Sequence, residues 1–317
     1  MPDPLTNTPW ADWAHRPIPG DASARQYTRL IGPAGETAIL MFTPSAEIAS
    51  QSAFVRVATI LNNAGLAAPD ILFQDGPTLV LSDLGATDMA TALVTSPEMT
   101  SHIYEAVSDV LLHLHQLTAP DLPKLTPDVA GEMVRITAEQ YSGAPHSGDA
   151  LVAAMTHAMT RLAPVPTTLA LRDFHAENLI WRPDRRGVAR VGLLDFQDAF
   201  VAPAGYDLAS LLRDARHDVS QDIYDDVVAR FCTAASLPET PFRAQLACLG
   251  VQRNLRILGV FARLARQMGK TRYVAMLPRV WDHIQRDLAH PELRDLAAVV
   301  TDTVPAPDAA IASWGPI

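Results

Sequence analysis

The chain has 317 residues, 48% of them hydrophobic, which is enough for a sizeable core arranged as one large domain or two lobes. Its formal net charge of −10 disfavours general nucleic-acid binding and an anionic membrane surface, both of which need a Lys/Arg footprint. A nucleotide is not excluded, because a few local cations and backbone N–H groups suffice for one. The N-terminus, MPDPLTNTPW, lacks a basic start and an apolar core, so no signal peptide is expected. No run approaches the roughly 18 apolar residues of a membrane span, and a cytoplasmic protein is the expectation. Cys232 and Cys248 fall in helical patterns outside any CxxC or Cys/His cluster and read as reduced, buried thiols.

The elements follow in chain order. Two strand-like runs, ARQYTRL and ETAILMF, flank a turn containing Gly32, Pro33 and Gly35. A helix is predicted from about Ala46 to Ala64, with Phe54, Val57, Ala58 and Leu61 on one face and Gly65 as the residue that ends it. DILFQ and TLVLS come next, joined through Asp75-Gly76, a hairpin signal. Residues 20–83 thus read β-β-α-β-β. After Asp83-Leu84-Gly85 the pattern turns helical. Ile103, Val107, Val110, Leu111, Leu114 and Leu117 mark a long helix, and further helices are expected at 127–142 and 147–163. A short strand pair, TLAL and ARVGLL, brackets a motif region, and helices follow near 205–216, 221–236, 241–268 and 272–290. The expected architecture is α+β and bilobal: a small β-rich N-terminal lobe, 1–83, then a hinge and a larger, mainly helical lobe, 84–317. The segments 1–17 and 292–317 receive no role.

Chemistry concentrates in LALRDFHAENLIWRPDRRGVARVGLLDFQDAF. Asp173 is followed five positions later by Asn178, and a strand-like run ends in Asp195-Phe196. Phosphoryl transfer to a hydroxyl needs a carboxylate to accept or orient the attacking O–H proton. It also needs hard oxygen ligands that hold Mg²⁺ against the phosphates, commonly one or two from the protein. Asp173 fits the first task, and Asn178 with Asp195 fits the second. A tight loop after one strand, with a returning strand that presents Asp195, is expected to bring the three groups together.

The ordered set RDxxxxN, then DF, then Tyr206-Asp207-Leu208 resembles the catalytic loop and metal motif of protein-kinase-like enzymes, in the form found in the aminoglycoside phosphotransferase family. Within that family the resemblance is to bacterial anomeric sugar kinases acting on N-acetylmuramate and N-acetylglucosamine. It is carried by GDASARQYTRL at 20–30, LVLSDLG at 79–85, the 171–214 segment, and VQR with FARLARQMGK between 251 and 270. The resemblance implies an ATP- and Mg²⁺-dependent enzyme that phosphorylates the anomeric hydroxyl of an N-acetylated hexosamine to the 1-phosphate, in recycling of cell-wall sugars. It implies Asp173 as base and Asn178 and Asp195 as Mg²⁺ ligands. Gly20, Asp21, Ala22 and Ser23 would form a phosphate-facing loop, Ser82, Asp83 and Leu84 a hinge for adenine, and Asp207 a brace under the catalytic loop.

Two positions depart from the family pattern. Leu171 stands where the family's catalytic motif begins with His, and Met41 stands where kinases carry an ATP-binding Lys. Arg25 or Arg29 is the expected replacement cation, and Glu47 would lose its usual Lys partner. Arg172, His175, Asp198, Arg213 and Asp214 are candidate substrate contacts. His175 either touches substrate or packs the loop, Asp198 either reaches substrate or a second Mg²⁺ or caps a turn, and Arg213 with Asp214 either line the sugar side or end a solvated helix. His113 and His115, two apart on a helix, face different ways and read as structural or surface residues. Arg253, Arg256, Arg263, Arg266 and Lys270 recur at helical spacing and read as a solvated face, or as a contact to a sugar carboxylate. Two other readings stand beside the sugar kinase: a kinase of aminoglycosides or other hydroxyl compounds, and a pseudokinase that senses nucleotide. The expected partners are ATP and a sugar, with a monomer as the expected state.

Overall fold

A computed structural model describes residues 4–19 and 24–315. In chain order the first elements are β1 (Ala14–Ile18), β2 (Gln26–Ile31), β3 (Thr37–Phe42), α1 (Ile48–Asn63), β4 (Ile71–Asp75), β5 (Thr78–Ser82), α2 (Met89–Thr95) and α3 (Thr100–Gln116). Next come α4 (Pro127–Met133), α5 (Gly148–Leu162), β6 (Thr168–Ala170), β7 (Leu179–Trp181), β8 (Val191–Leu193) and β9 (Phe200–Ala202). The chain then runs through α6 (Tyr206–Leu212), α7 (Gln221–Ala235), α8 (Glu239–Met268), α9 (Leu277–Leu288), α10 (Arg294–Thr303) and α11 (Pro307–Ser313). Two compact units result: Met1–Val110 with Glu177–Ala199, and Leu111–Ala176 with Phe200–Ile317. The first unit takes in residues 84–110 and the β7–β8 hairpin beyond the lobe drawn at residue 83.

The first unit centres on an antiparallel sheet of order β1-β2-β3-β5-β4. Side chains alternate across it. Leu30, Ala38 and Val80 are buried on one side, where Leu5, Trp10, Trp13, Leu40 and Phe73 pack with them. The N-terminal segment, which received no role from sequence, therefore covers one sheet face. Met41 is fully buried opposite Tyr27 and Leu79 in the strand register. Gly65, at φ +78°, ends α1 and turns the chain so that Leu66 N–H reaches Leu61 O at 3.0 Å. The following segment binds the hairpin, with Leu193 N–H donating to Ala67 O at 2.8 Å and Trp181 N–H to Thr87 O at 2.8 Å.

The second unit is mainly helical. Its β6 pairs antiparallel with β9, whereas β7 pairs with β8 within the first unit. TLAL and ARVGLL are thus strands, but not partners: β8 turns straight back on β7, and β6 waits for the strand that follows the DFQD segment. The helix expected over 127–142 divides into α4 and a π turn at Thr137–Tyr141. There Thr137 Oγ1 donates to Leu255 O at 2.6 Å. α8 packs against α5, α6, α9 and that π turn. Gly259 permits a close approach to the residue before that turn, since a Cβ there would lie 2.6 Å from the Ile136 backbone. The segment 292–317 adds α10 and α11. Among the described residues no helix is long and apolar enough to cross a membrane.

Candidate active site

In the first unit the β7–β8 hairpin positions Asn178 and Asp195. Leu194 N–H donates to Asn178 O at 3.0 Å, which closes the hairpin base. Asp195 then adopts φ +57°, a left-handed conformation that a non-glycine residue holds only when its surroundings demand it. The turn leaves the Asp195 side chain exposed, with Asn178 Nδ2 3.4 Å from Asp195 Oδ2. Phe196 points the other way, is fully buried and stacks on Phe54 of α1 at 4.9 Å between ring centroids. Phe196 is therefore the anchor that lets Asp195 project.

A polar relay orients that carboxylate. Gln197 Nε2 donates to Asp195 Oδ1 at 2.8 Å, and Arg25 Nη1 donates to Gln197 Oε1 at 3.2 Å. Arg25 is buried, its guanidinium carbon 6.0 Å from the Phe54 ring centroid, and it also bonds Ser50 Oγ. Tyr27 sits in the same field. Burial pushes its phenol up, the hydrogen bond and charge of Arg25 oppose that, and Asp195 and Glu47 add to it. Glu47 Oε1, without a Lys at Met41, accepts from Ala24 N–H at 3.4 Å. Gln197 carried no signal beyond its place inside DFQD.

Arg29 is not placed with this group. Its Nε and Nη2 fork onto Asp83 at 2.7 and 3.2 Å, and Nη2 also reaches Gly85 O at 3.2 Å. Of the two replacement cations considered, only Arg25 joins the Asp195 side of the unit. At the expected hinge, Ser82 N–H and Oγ are taken by Asp70, and the Asp83 carboxylate also receives Gly85 N–H, which leaves Leu84 between them. Gly20, Asp21, Ala22 and Ser23 lie outside the described residues.

In the second unit Asp173 stands in the loop after β6. Asp207, buried at the start of α6, grips this loop through both oxygens: Oδ2 accepts Leu171 N–H at 2.6 Å and Oδ1 accepts Arg172 N–H at 3.0 Å. Burial pushes the Asp207 carboxyl up to about 7, against the pull of those two N–H groups and of Arg253. Arg172 adopts φ +74°, and its guanidinium carbon lies 5.8 Å from the Phe200 ring centroid. Asp173 itself closes short turns, its N–H to Leu171 O at 2.9 Å and its carbonyl to His175 N–H at 3.1 Å. At the far end of the loop Asp214 Oδ2 accepts Ala176 N–H at 3.1 Å, and Oδ1 accepts Arg216 N–H at 2.8 Å.

These contacts correct several expectations. Arg213 and Asp214 are not a solvated helix end and do not present free charges to a sugar. Both are buried, and Arg213 pairs with Asp287 at 2.8 Å and lies 4.2 Å from the Tyr224 ring centroid. Asp214 holds the Asp173 loop instead, and its carbonyl meets His283 Nε2 at 3.1 Å. His175 is buried inside the loop. Desolvation, then Arg216 and Arg253, hold its imidazole well below the usual range. Asp198 is exposed. The arginine run also divides. Arg263 and Arg266 are exposed, whereas Arg253 is buried and burial lowers Arg256 from its ordinary value. His115 Nδ1 meets Thr168 Oγ1 at 3.3 Å, and Cys232 and Cys248 are both buried.

The model of the phosphotransferase enzyme family matches residues 14–246. An N-acetylmuramate/N-acetylglucosamine kinase of Caulobacter vibrioides is 34% identical, with 95% of each chain covered. Among solved structures, a choline/ethanolamine kinase family protein of Mesorhizobium loti is similar in fold, with a TM-score of 0.64 at 15% identity over 94% of this chain and 97% of that one. An aminoglycoside phosphotransferase of Streptomyces rimosus, solved in complex with ADP and streptomycin, has a TM-score of 0.52 at 16% identity over 78% of this chain and 95% of that one. The match of the family model across residues 14–246, together with the near end-to-end relative, shows that this chain belongs to the phosphotransferase enzyme family.

Proposed function

We propose that the protein is an ATP-dependent kinase that transfers the γ-phosphate to the anomeric hydroxyl of N-acetylmuramate or N-acetylglucosamine. The observation that carries the phosphoryl-transfer reading is the Asn178–Asp195 pair, 3.4 Å apart and backed by Gln197 and Arg25. An amide oxygen and a carboxylate are the hard donors that Mg²⁺ accepts alongside phosphate oxygens, so the residues fit that ion. When bound, Mg²⁺ would offset negative charge on the transferring phosphate. The acceptor is suggested by the relative that covers nearly the whole chain.

The chain's own groups supply positioning. Asp173 accepts the proton of the attacking hydroxyl, and an anomeric hydroxyl, more acidic than an ordinary alcohol, eases that demand. Asp207 and Asp214 fix the loop that carries Asp173, so the carboxylate is held in place before substrate arrives. Gln197 fixes the rotamer of Asp195. Buried Arg25 supplies the cation that Met41 does not.

The experiment is transfer from ATP with Mg²⁺ to N-acetylglucosamine, N-acetylmuramate, glucose and kanamycin, with the products read by phosphorus NMR. A sugar 1-phosphate from either amino sugar supports the proposal. Transfer to kanamycin alone overturns the acceptor.

A further inference from the structure

Two arginines of α8 have no use in the chemistry assigned so far. Arg253 and Arg256 stand three positions apart and share one side of the helix. Arg253 is 6% exposed, and its Nη1 is buried without a hydrogen-bond acceptor among the described residues. Neither arginine forms an ion pair among those residues. A buried guanidinium N–H left without an acceptor is costly, so its retention points to a group that completes it.

The surroundings say which sign that group has. Arg256 lies in the field of Arg172, Tyr206, Asp173 and Arg253, all of the same unit. Arg253 in turn acts on Asp207, Tyr206 and His175. Three guanidinium groups, those of Arg172, Arg253 and Arg256, thus face two carboxylates. One of these, Asp207, is pushed up to about 7 and is only partly charged near neutrality.

We propose that Arg253 and Arg256 form an anion subsite beside the Asp173 loop that receives a carboxylate carried by the acceptor sugar. The inference rests on the amino-sugar kinase reading and deepens it. N-acetylmuramate carries a lactyl carboxylate that N-acetylglucosamine lacks, and a guanidinium matches a carboxylate in shape as well as charge. The α8 arginines lie in the unit that carries Asp173, in the field of that carboxylate, and belong with the proposed base and the acceptor.

The test compares kcat/KM for N-acetylmuramate and N-acetylglucosamine in the wild type, Arg253→Met, Arg256→Gln and Arg253→Lys, with melting temperatures measured alongside. The wild type is expected to use both sugars. The ratio of acidic to neutral sugar should fall at least about tenfold in Arg253→Met and Arg256→Gln, mostly through KM, and recover in part in Arg253→Lys. The melting temperature of Arg253→Met should hold or rise, because an unpaired buried charge is removed; a structural arginine would lower it. An equal loss for both sugars, or an unchanged ratio in folded variants, overturns the subsite and leaves the kinase reading standing. A wild type that uses only the neutral sugar overturns the subsite alone. A wild type that transfers to neither sugar overturns both.

Discussion

Asp214 Oδ2 accepts the N–H of Ala176 at 3.1 Å across 38 residues of sequence, and so fixes the distal end of the loop that carries Asp173. Asp207 fixes the proximal end at Leu171 and Arg172. Asp207 lies in the first turn of α6 and Asp214 two residues beyond its last residue, so α6 and its exit set the shape of the whole loop. Asp214→Ala removes the distal hold. It should lower kcat by at least about tenfold with little change in acceptor KM, because the geometry of the base is lost rather than a sugar contact. It should also cost about 1–3 kcal/mol of stability, read by urea unfolding, because Ala176 N–H is left without an acceptor. An unchanged kcat would dismiss the positioning role.

Asp207 also predicts a pH dependence with a definite sign. Its carboxyl lies near 7 in the folded chain and ordinarily near 3.8, so the native state holds the proton over that interval while the unfolded state releases it. The stability contributed is fully present below 3.8 and is lost as pH rises through about 7. Asp207→Asn cannot titrate. The stability of the wild type relative to Asp207→Asn should therefore decline from pH 5 to pH 8 in urea unfolding, and a difference that grows with pH would refute the assignment.

Much of this arrangement was legible before any coordinates, because local pattern and physical demand coincide. The Asp75-Gly76 hairpin, the α1 stripe Phe54/Val57/Ala58/Leu61 and the Asp195-Phe196 strand end are short-range signals, and each appears where expected. Gln197 and Asp214 were not read correctly because their partners lie 172 and 38 residues away, and no spacing encodes such pairs. Arg253 and Arg256 stand in a run that reads as a solvated face or as a sugar-carboxylate contact, because charges at helical spacing look the same whether the face meets water, a ligand or another helix. Strand β1 escaped because AHRPI carries a proline and little alternation, as an edge strand allows. The helix expected over 127–142 failed because periodicity continues through a π turn that widens the backbone.

Gln197 connects Arg25 to Asp195, and this bears on metal use. Gln197→Ala leaves the Asp195 carboxylate without its 2.8 Å amide donor. Partners of this kind typically contribute about 10–100-fold in metal affinity or activity. The Mg²⁺ concentration for half-maximal transfer should rise by about tenfold, with no comparable change in acceptor KM. An unchanged Mg²⁺ requirement would remove Gln197 from the metal side of the site.

The central claim is that Asp173 is the base of a kinase that acts on an amino sugar. The most direct measurement is the rate of ADP formation with N-acetylglucosamine and N-acetylmuramate in the wild type and in Asp173→Asn. The melting temperature would confirm that both chains are folded. The account predicts sugar-dependent ADP formation in the wild type and a loss of at least about a hundredfold in kcat for Asp173→Asn. Equal rates in the two proteins, or ADP formation that ignores the sugar, would contradict it.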